Sequence, residues 1–155
     1  MNEDSSRRLT NFENVAAFMR QAGQEVKLFP AWPSDKTLES RVNSLGETFE
    51  ELIEAIEIHD MVEVAGSLTD LLIAIYSTGH AFGIDLDDCF VESMRSNWSK
   101  FDEWGRCIRD DRGLQVPSDL YFPPDLEAVI DYHPEDEGEE DEEVDLQEME
   151  TDLEN

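Results

Sequence analysis

A chain of 155 residues with 39% hydrophobic content is long enough to bury one sizeable core, so a single domain is expected. Its net charge of −28 argues against a nucleic-acid backbone as partner and suits a partner that brings cations, such as Mg²⁺. Two cysteines, Cys89 and Cys107, in no metal-ligand spacing argue against a disulfide framework and a zinc cluster.

The charge is uneven. Residues 134–155 hold 13 acids and no Lys or Arg, leaving 26 acidic and 11 basic residues before them, a net of −15. The chain therefore divides into a domain over 11–132 and an acidic tail over 134–155, which is expected to be disordered. The N-terminus lacks the apolar core of a signal peptide, and no apolar run reads as approaching the roughly 20 residues of a membrane span. A soluble protein in the reducing cytoplasm, with no membrane partner, is the expectation.

The first helix is placed over Thr10 to Gly23. Thr10 and Glu13 have capping-box spacing, and Phe12, Val15, Ala16 and Met19 share one face. Residues 28–34 (LFPAWPS) form an ordered loop whose aromatics either pack on the helices or, at Trp32, stack on a base.

A second helix begins at Ser34 or Asp35 and runs to about Ile58. Leu45, Phe49, Leu52, Ile53 and Ile56 make one apolar arc, with Glu47, Thr48, Glu51 and Ala55 on its flank. Glu50, Glu54 and Glu57 fall further round, toward solvent. The literal EExxE at 50–54 straddles that outer side, so geometry favours Glu47 and Glu51 as the inward pair.

His59-Asp60 breaks the chain, and a third helix covers Met61 to His80 with Leu68, Leu71, Leu72 and Ile75 as its core stripe. Glu63, Gly66, Ser67 and Asp70 make a second face at i, i+3, i+4 and i+7. Gly66 in a helix interior costs about 1 kcal/mol relative to alanine, which points to a close approach or a lost side chain.

Gly83 stops that helix and Asp85 caps a fourth, about 86–100. Its end carries Arg95 and Lys100, which serve either the helix C-terminus or a phosphate. A short hairpin or arm follows over 101–122, and Pro123-Pro124-Asp125 opens a last short helix.

No GxSxG, HExxH, GxGxxG or Walker loop is present, and His59, His80 and His133 are scattered as surface or helix-end residues. The carboxylate faces remain. They are either solvated helix surface or, with Glu47 and Glu51 opposed to Glu63 and Asp70, an all-oxygen site for a hard cation between helices.

Read together, NFENVAAFMRQAGQEV, LGETFEELIEAI, VEVAGSLTDLLIAIYSTGHAFGID, SNWSKFDEWG and YFPPDL resemble the MazG-like all-α nucleotide pyrophosphohydrolases, nearest the small phosphoribosyl-ATP-pyrophosphatase-like proteins. The resemblance covers about residues 11–131. It implies an all-α helical bundle of four main helices with a short C-terminal arm and helix, assembled as a homodimer or higher oligomer. It implies hydrolysis of nucleoside triphosphates or dUTP-like nucleotides to the monophosphate and pyrophosphate, with Mg²⁺, or Mn²⁺ in its place, held by an EExxE and a later ExxD motif.

Laid on Leu45–Ile56, the first motif falls on Glu47, Thr48 and Glu51, which makes Glu47 and Glu51 the catalytic pair and metal ligands. The second falls on Glu63 and Gly66, with Asp70 one turn beyond as a substitute ligand. Asn97 and Lys100 match an SN-x-SK segment that meets phosphate or sugar. The chain departs from the family at Thr48 and Gly66, where acids are expected, and at 113–117 (GLQVP), where lysines are missing. Two functions follow: a Mg²⁺-dependent pyrophosphohydrolase, impaired by two lost ligands, or a degenerate member that binds nucleotide or protein without turnover.

Overall fold

A computed structural model describes residues 7–131; the acidic tail, and with it the expectation of disorder there, lies outside the described residues. The fold is mainly helical: α1 (Asn11–Gln21), α2 (Asp35–Glu57), α3 (Met61–Phe82), α4 (Leu86–Trp98) and α5 (Leu126–Ile130), with a two-stranded antiparallel hairpin of β1 (Ile108–Arg109) and β2 (Gln115–Val116). Ile108 pairs with Val116 and Arg109 with Gln115.

Local chemistry sets each helix end. Thr10 and Glu13 form the capping box of α1. Ser34, Asp60, Asp85 and Asp125 cap α2, α3, α4 and α5 with side-chain oxygens. The α2–α3 connection is tight: His59 takes φ 58°, and Asp60 then accepts from the Val62 and Glu63 amides. The two long helices therefore fold back on one another and pack along their length as a hairpin.

α1 lies on α3. Phe12, Val15, Ala16 and Met19 are buried, as the periodicity expects. The Phe12 ring stacks on His80 at 3.7 Å, and His80 Nε2 donates to the Phe12 carbonyl at 2.9 Å. His80 is thus a buried structural histidine that pins the first helix to the third.

The loop over 27–31 crosses the C-terminal end of α3. The Lys27 amide donates to the His80 carbonyl and the Ala31 amide to the Phe82 carbonyl, each at 3.0 Å. Gly83 caps the helix with φ 70°, and a Cβ there would stand 1.9 Å from the Phe29 carbonyl oxygen. Only glycine permits this crossing. Trp32 meets Phe82 edge-on.

The buried face of α3 corrects the sequence expectation. The residues turned inward are small ones: Ser67, Ala74, Ser77, Gly79 and Ala81, with His80. The expected core stripe stays largely open, with Leu68 51%, Leu72 39% and Ile75 41% exposed. On α2, Leu52 and Ala55 are buried, whereas Phe49, Ile53 and Ile56 are exposed. The small side chains of α3 are thus the enclosed ones, while larger apolar side chains of both helices of the hairpin stay exposed. α3, 22 residues with an 18-residue stretch at mean hydropathy 1.3, is long and apolar enough to cross a membrane by length and composition alone, although Glu63 and Asp70 interrupt its apolar run.

Candidate functional site

The turn between α2 and α3 opens a cleft of about 560 Å³. Glu51 and Glu54 reach it from α2, Asp60 from the turn, and Glu63 and Asp70 from α3, with Gly66 and Ser67 between them. Glu51 and Glu54 stand one turn apart, as do Asp60 and Glu63, so both helices present acids where the hairpin begins. The Asp60 carboxylate is already committed, through Oδ1, to the amides of Val62 and Glu63 at 2.9 and 3.1 Å.

Three of the four proposed metal ligands, Glu51, Glu63 and Asp70, share this cleft. Glu47 does not line it. It lines a neighbouring groove on the first half of α2 with Lys36, Glu39 and Asn43. Glu54, assigned to the solvent side by the helical wheel, takes the position beside Glu51. Asp60 was read from sequence only as a break; its place three residues before Glu63 was the available signal.

The two departures differ in kind. Gly66 lies in the cleft, and a Cβ built on it meets nothing within 4 Å. Thr48 turns its hydroxyl onto its own helix, donating to the Ser44 carbonyl at 2.9 Å and the Leu45 carbonyl at 3.2 Å. Its side chain is thus already occupied locally.

Among the described residues, no three of His, Cys, Asp and Glu converge tightly enough to hold a metal ion. The donor set still suits one kind of ion. All its side-chain donors are oxygens, and Mg²⁺ typically takes one or two carboxylates and completes its shell with water and substrate phosphates. One or two of the cleft's acids, among Glu51, Glu63 and Asp70, would suffice for that pattern, with water and phosphate oxygens completing the shell.

Asn97 and Lys100 sit elsewhere, at the end of α4, where the Lys100 ammonium donates to Asn97 Oδ1 at 2.7 Å and lies 5.9 Å from the centre of the Tyr121 ring. None of the clefts described joins them to the acids of the hairpin within the chain. Arg95, the other cation of that turn, is spent on Glu92: its Nε and guanidinium NH2 donate to the two carboxylate oxygens at 2.7 and 2.8 Å. Glu92 is buried, and also accepts from the Asp125 amide at 2.8 Å. These donors pull its pKa down to about 2, with the Arg95 hydrogen bonds the largest cause.

A depressed carboxylate contributes stability above its unfolded-state pKa and loses it as pH falls through the folded one. The wild-type chain should therefore lose stability between about pH 4.5 and pH 2 through this group. A Glu92→Gln chain should show a shallower loss in acid titrations followed by circular dichroism; parallel curves would refute the assignment.

Against known proteins, the family described as phosphoribosyl-ATP pyrophosphohydrolase matches residues 15–97, from α1 to the end of α4. An uncharacterized protein of Acanthamoeba polyphaga mimivirus is 29% identical over 89 residues, covering 54% of this chain. The chain spans about a third of that relative's length, 35%. The hairpin arm and α5 fall outside the family match.

Proposed function

Because the chain belongs to the phosphoribosyl-ATP pyrophosphohydrolase family, we propose that it is a Mg²⁺-dependent nucleoside triphosphate pyrophosphohydrolase that releases pyrophosphate and the monophosphate. Membership suggests nucleotide pyrophosphohydrolase activity in general; the substrate, the ion and the residues are our reading. The observation that supports it best is the cleft that gathers Glu51, Glu63 and Asp70 from two helices. A bound divalent ion there would neutralise phosphate charge and activate water. Glu51 from α2 and Glu63 from α3 would hold such an ion, with Asp70 as the substitute for the acid missing at Gly66. Glu47, read from sequence as a further catalytic and metal-binding acid, lies one turn before Glu51 in its own groove. Asn97 and Lys100 take the nucleotide's phosphate or sugar, by hydrogen bond and charge. The setting is cytoplasmic.

The test is pyrophosphate release from a panel of NTPs and dNTPs with Mg²⁺ or Mn²⁺. Glu51→Gln, which keeps the shape and removes the charge, should cut metal-dependent release at least about tenfold. Equal traces from both chains would favour the second reading, a member that binds nucleotide without turnover, for which the absent acids at Thr48 and Gly66 speak.

We further propose that the chain works as a homodimer or higher homo-oligomer. Phe49, Ile53 and Ile56 of α2 and Leu68, Leu72 and Ile75 of α3 leave apolar faces uncovered on the hairpin that carries the site. A Leu68→Glu chain should run as a monomer in light scattering where the wild-type chain does not. A wild-type monomer at every concentration would end this reading.

A further inference from the structure

The end of α4 and the two residues after it turn Ser96, Asn97, Ser99 and Lys100 to two sides. Asn97 and Lys100 pair with each other, whereas Ser96 and Ser99 are turned to the arm. Ser96, 2% exposed, donates through Oγ to the Phe122 carbonyl at 2.8 Å. The Phe122 amide donates to Ser99 Oγ at 3.1 Å. The Ser118 amide donates to the carbonyl of Lys100 at 3.1 Å, and its hydroxyl to that of Ser99 at 3.0 Å. Arg95 lies 4.4 Å from the Phe122 ring centre, and Glu92 holds both Arg95 and the Asp125 amide. Every residue of this seam is spent on fastening residues 118–125 to α4.

We propose that Glu92 is a positioning residue for the nucleotide: it locks Arg95 and the start of α5 against α4, and the arm so held fixes the Lys100 backbone and sets the Tyr121 ring near the Lys100 ammonium that pairs with Asn97. Residues read in sequence as one phosphate-binding segment thus divide their labour. Ser96 and Ser99 build the mount, and Asn97 and Lys100 are what it presents. The inference rests on the reading of Asn97 and Lys100 as nucleotide contacts. Glu92 touches no substrate, and Lys100 and Asn97 bind rather than react, so the mount should govern binding more than turnover.

The experiment compares the wild-type full chain with Glu92→Gln, using dATP, dCTP, dGTP, dTTP and dUTP with Mg²⁺. Tryptic cleavage at Arg106, Arg109 and Arg112 reports release of the arm. In Glu92→Gln, cleavage should accelerate and KM should rise, each about tenfold, with kcat within about twofold and helix content unchanged. Phe122→Leu, which removes the ring beside Arg95 and keeps the main-chain bonds, should move KM the same way by about threefold, and serves if Glu92→Gln does not fold. A loosened arm with unchanged KM makes the seam merely structural and overturns the proposal, as does an arm no easier to cut. A wild-type chain that releases no pyrophosphate would instead overturn the site reading on which it rests.

Discussion

Placing glutamate at Thr48 and aspartate at Gly66 in one chain is expected to raise Mg²⁺ affinity about a hundredfold, with Gly66→Asp alone giving about tenfold. Gly66 is the easier position, because its helix offers open space for a side chain directly in the cleft of Glu51, Glu63 and Asp70. Thr48 must first give up the two carbonyl bonds of its hydroxyl, and a glutamate there reaches in from one turn before Glu51. The metal-free double variant should be less stable than wild type, since two more carboxylates join an already acidic cleft. Saturating Mg²⁺ should reverse that order, because an ion that binds only the folded state stabilises it. Calorimetric titration decides the matter. Unchanged affinity in Gly66→Asp would mean the second motif is out of register; a gain at 66 and none at 48 would confine the error to the first.

Gly83→Ala is expected to destabilise the fold by about 3–4 kcal/mol, a large share of the 5–15 typical of a domain. A side chain in the left-handed region costs roughly 1–2 kcal/mol. The added Cβ would also overlap the Phe29 carbonyl, 1.9 Å away, and the loop over 27–31 would have to lift from the end of α3. Lifting it gives up the Lys27–His80 and Ala31–Phe82 backbone bonds, each worth about 1 kcal/mol net. Gly66→Ala is the control with the opposite sign: a helical glycine with open space should gain about 1 kcal/mol on the same substitution. Urea denaturation of both variants gives the comparison. A Gly83→Ala chain within about 0.5 kcal/mol of wild type would show that the loop does not rest on that helix end.

The helices themselves were legible because their signals are local. Thr10, Ser34, Asp60, Gly83 and Asp85 act within one turn, and each boundary falls where its chemistry puts it. The inward face of α3 was not. Periodicity shows where apolar side chains line up, but the leucine stripe and the Ser67–Ala74–Ser77 stripe both repeat at helical spacing, and sequence alone does not say which one is enclosed. Glu54 took the place expected of Glu47 beside Glu51 for a related reason: the wheel puts Glu47 on the flank of the apolar arc and Glu54 further round, toward solvent, and it is the fold-back of the hairpin that encloses Glu54 in the cleft. The Glu92 seam was invisible for another reason. It joins α4 to main-chain groups 23 to 33 residues away, and backbone amides leave no trace in a residue pattern.

The sparse core of this chain also bears on what its stability means. Met19 is the one large side chain enclosed almost completely among the described residues. Where the apolar faces of α2 and α3 are covered by a second copy, folding and association become one equilibrium, governed by mass action. The midpoint of thermal unfolding is then a property of the solution as well as of the chain, climbing with protein concentration and falling on dilution. Any single-site stability measured at one concentration would therefore mix the strength of the fold with the strength of the pairing.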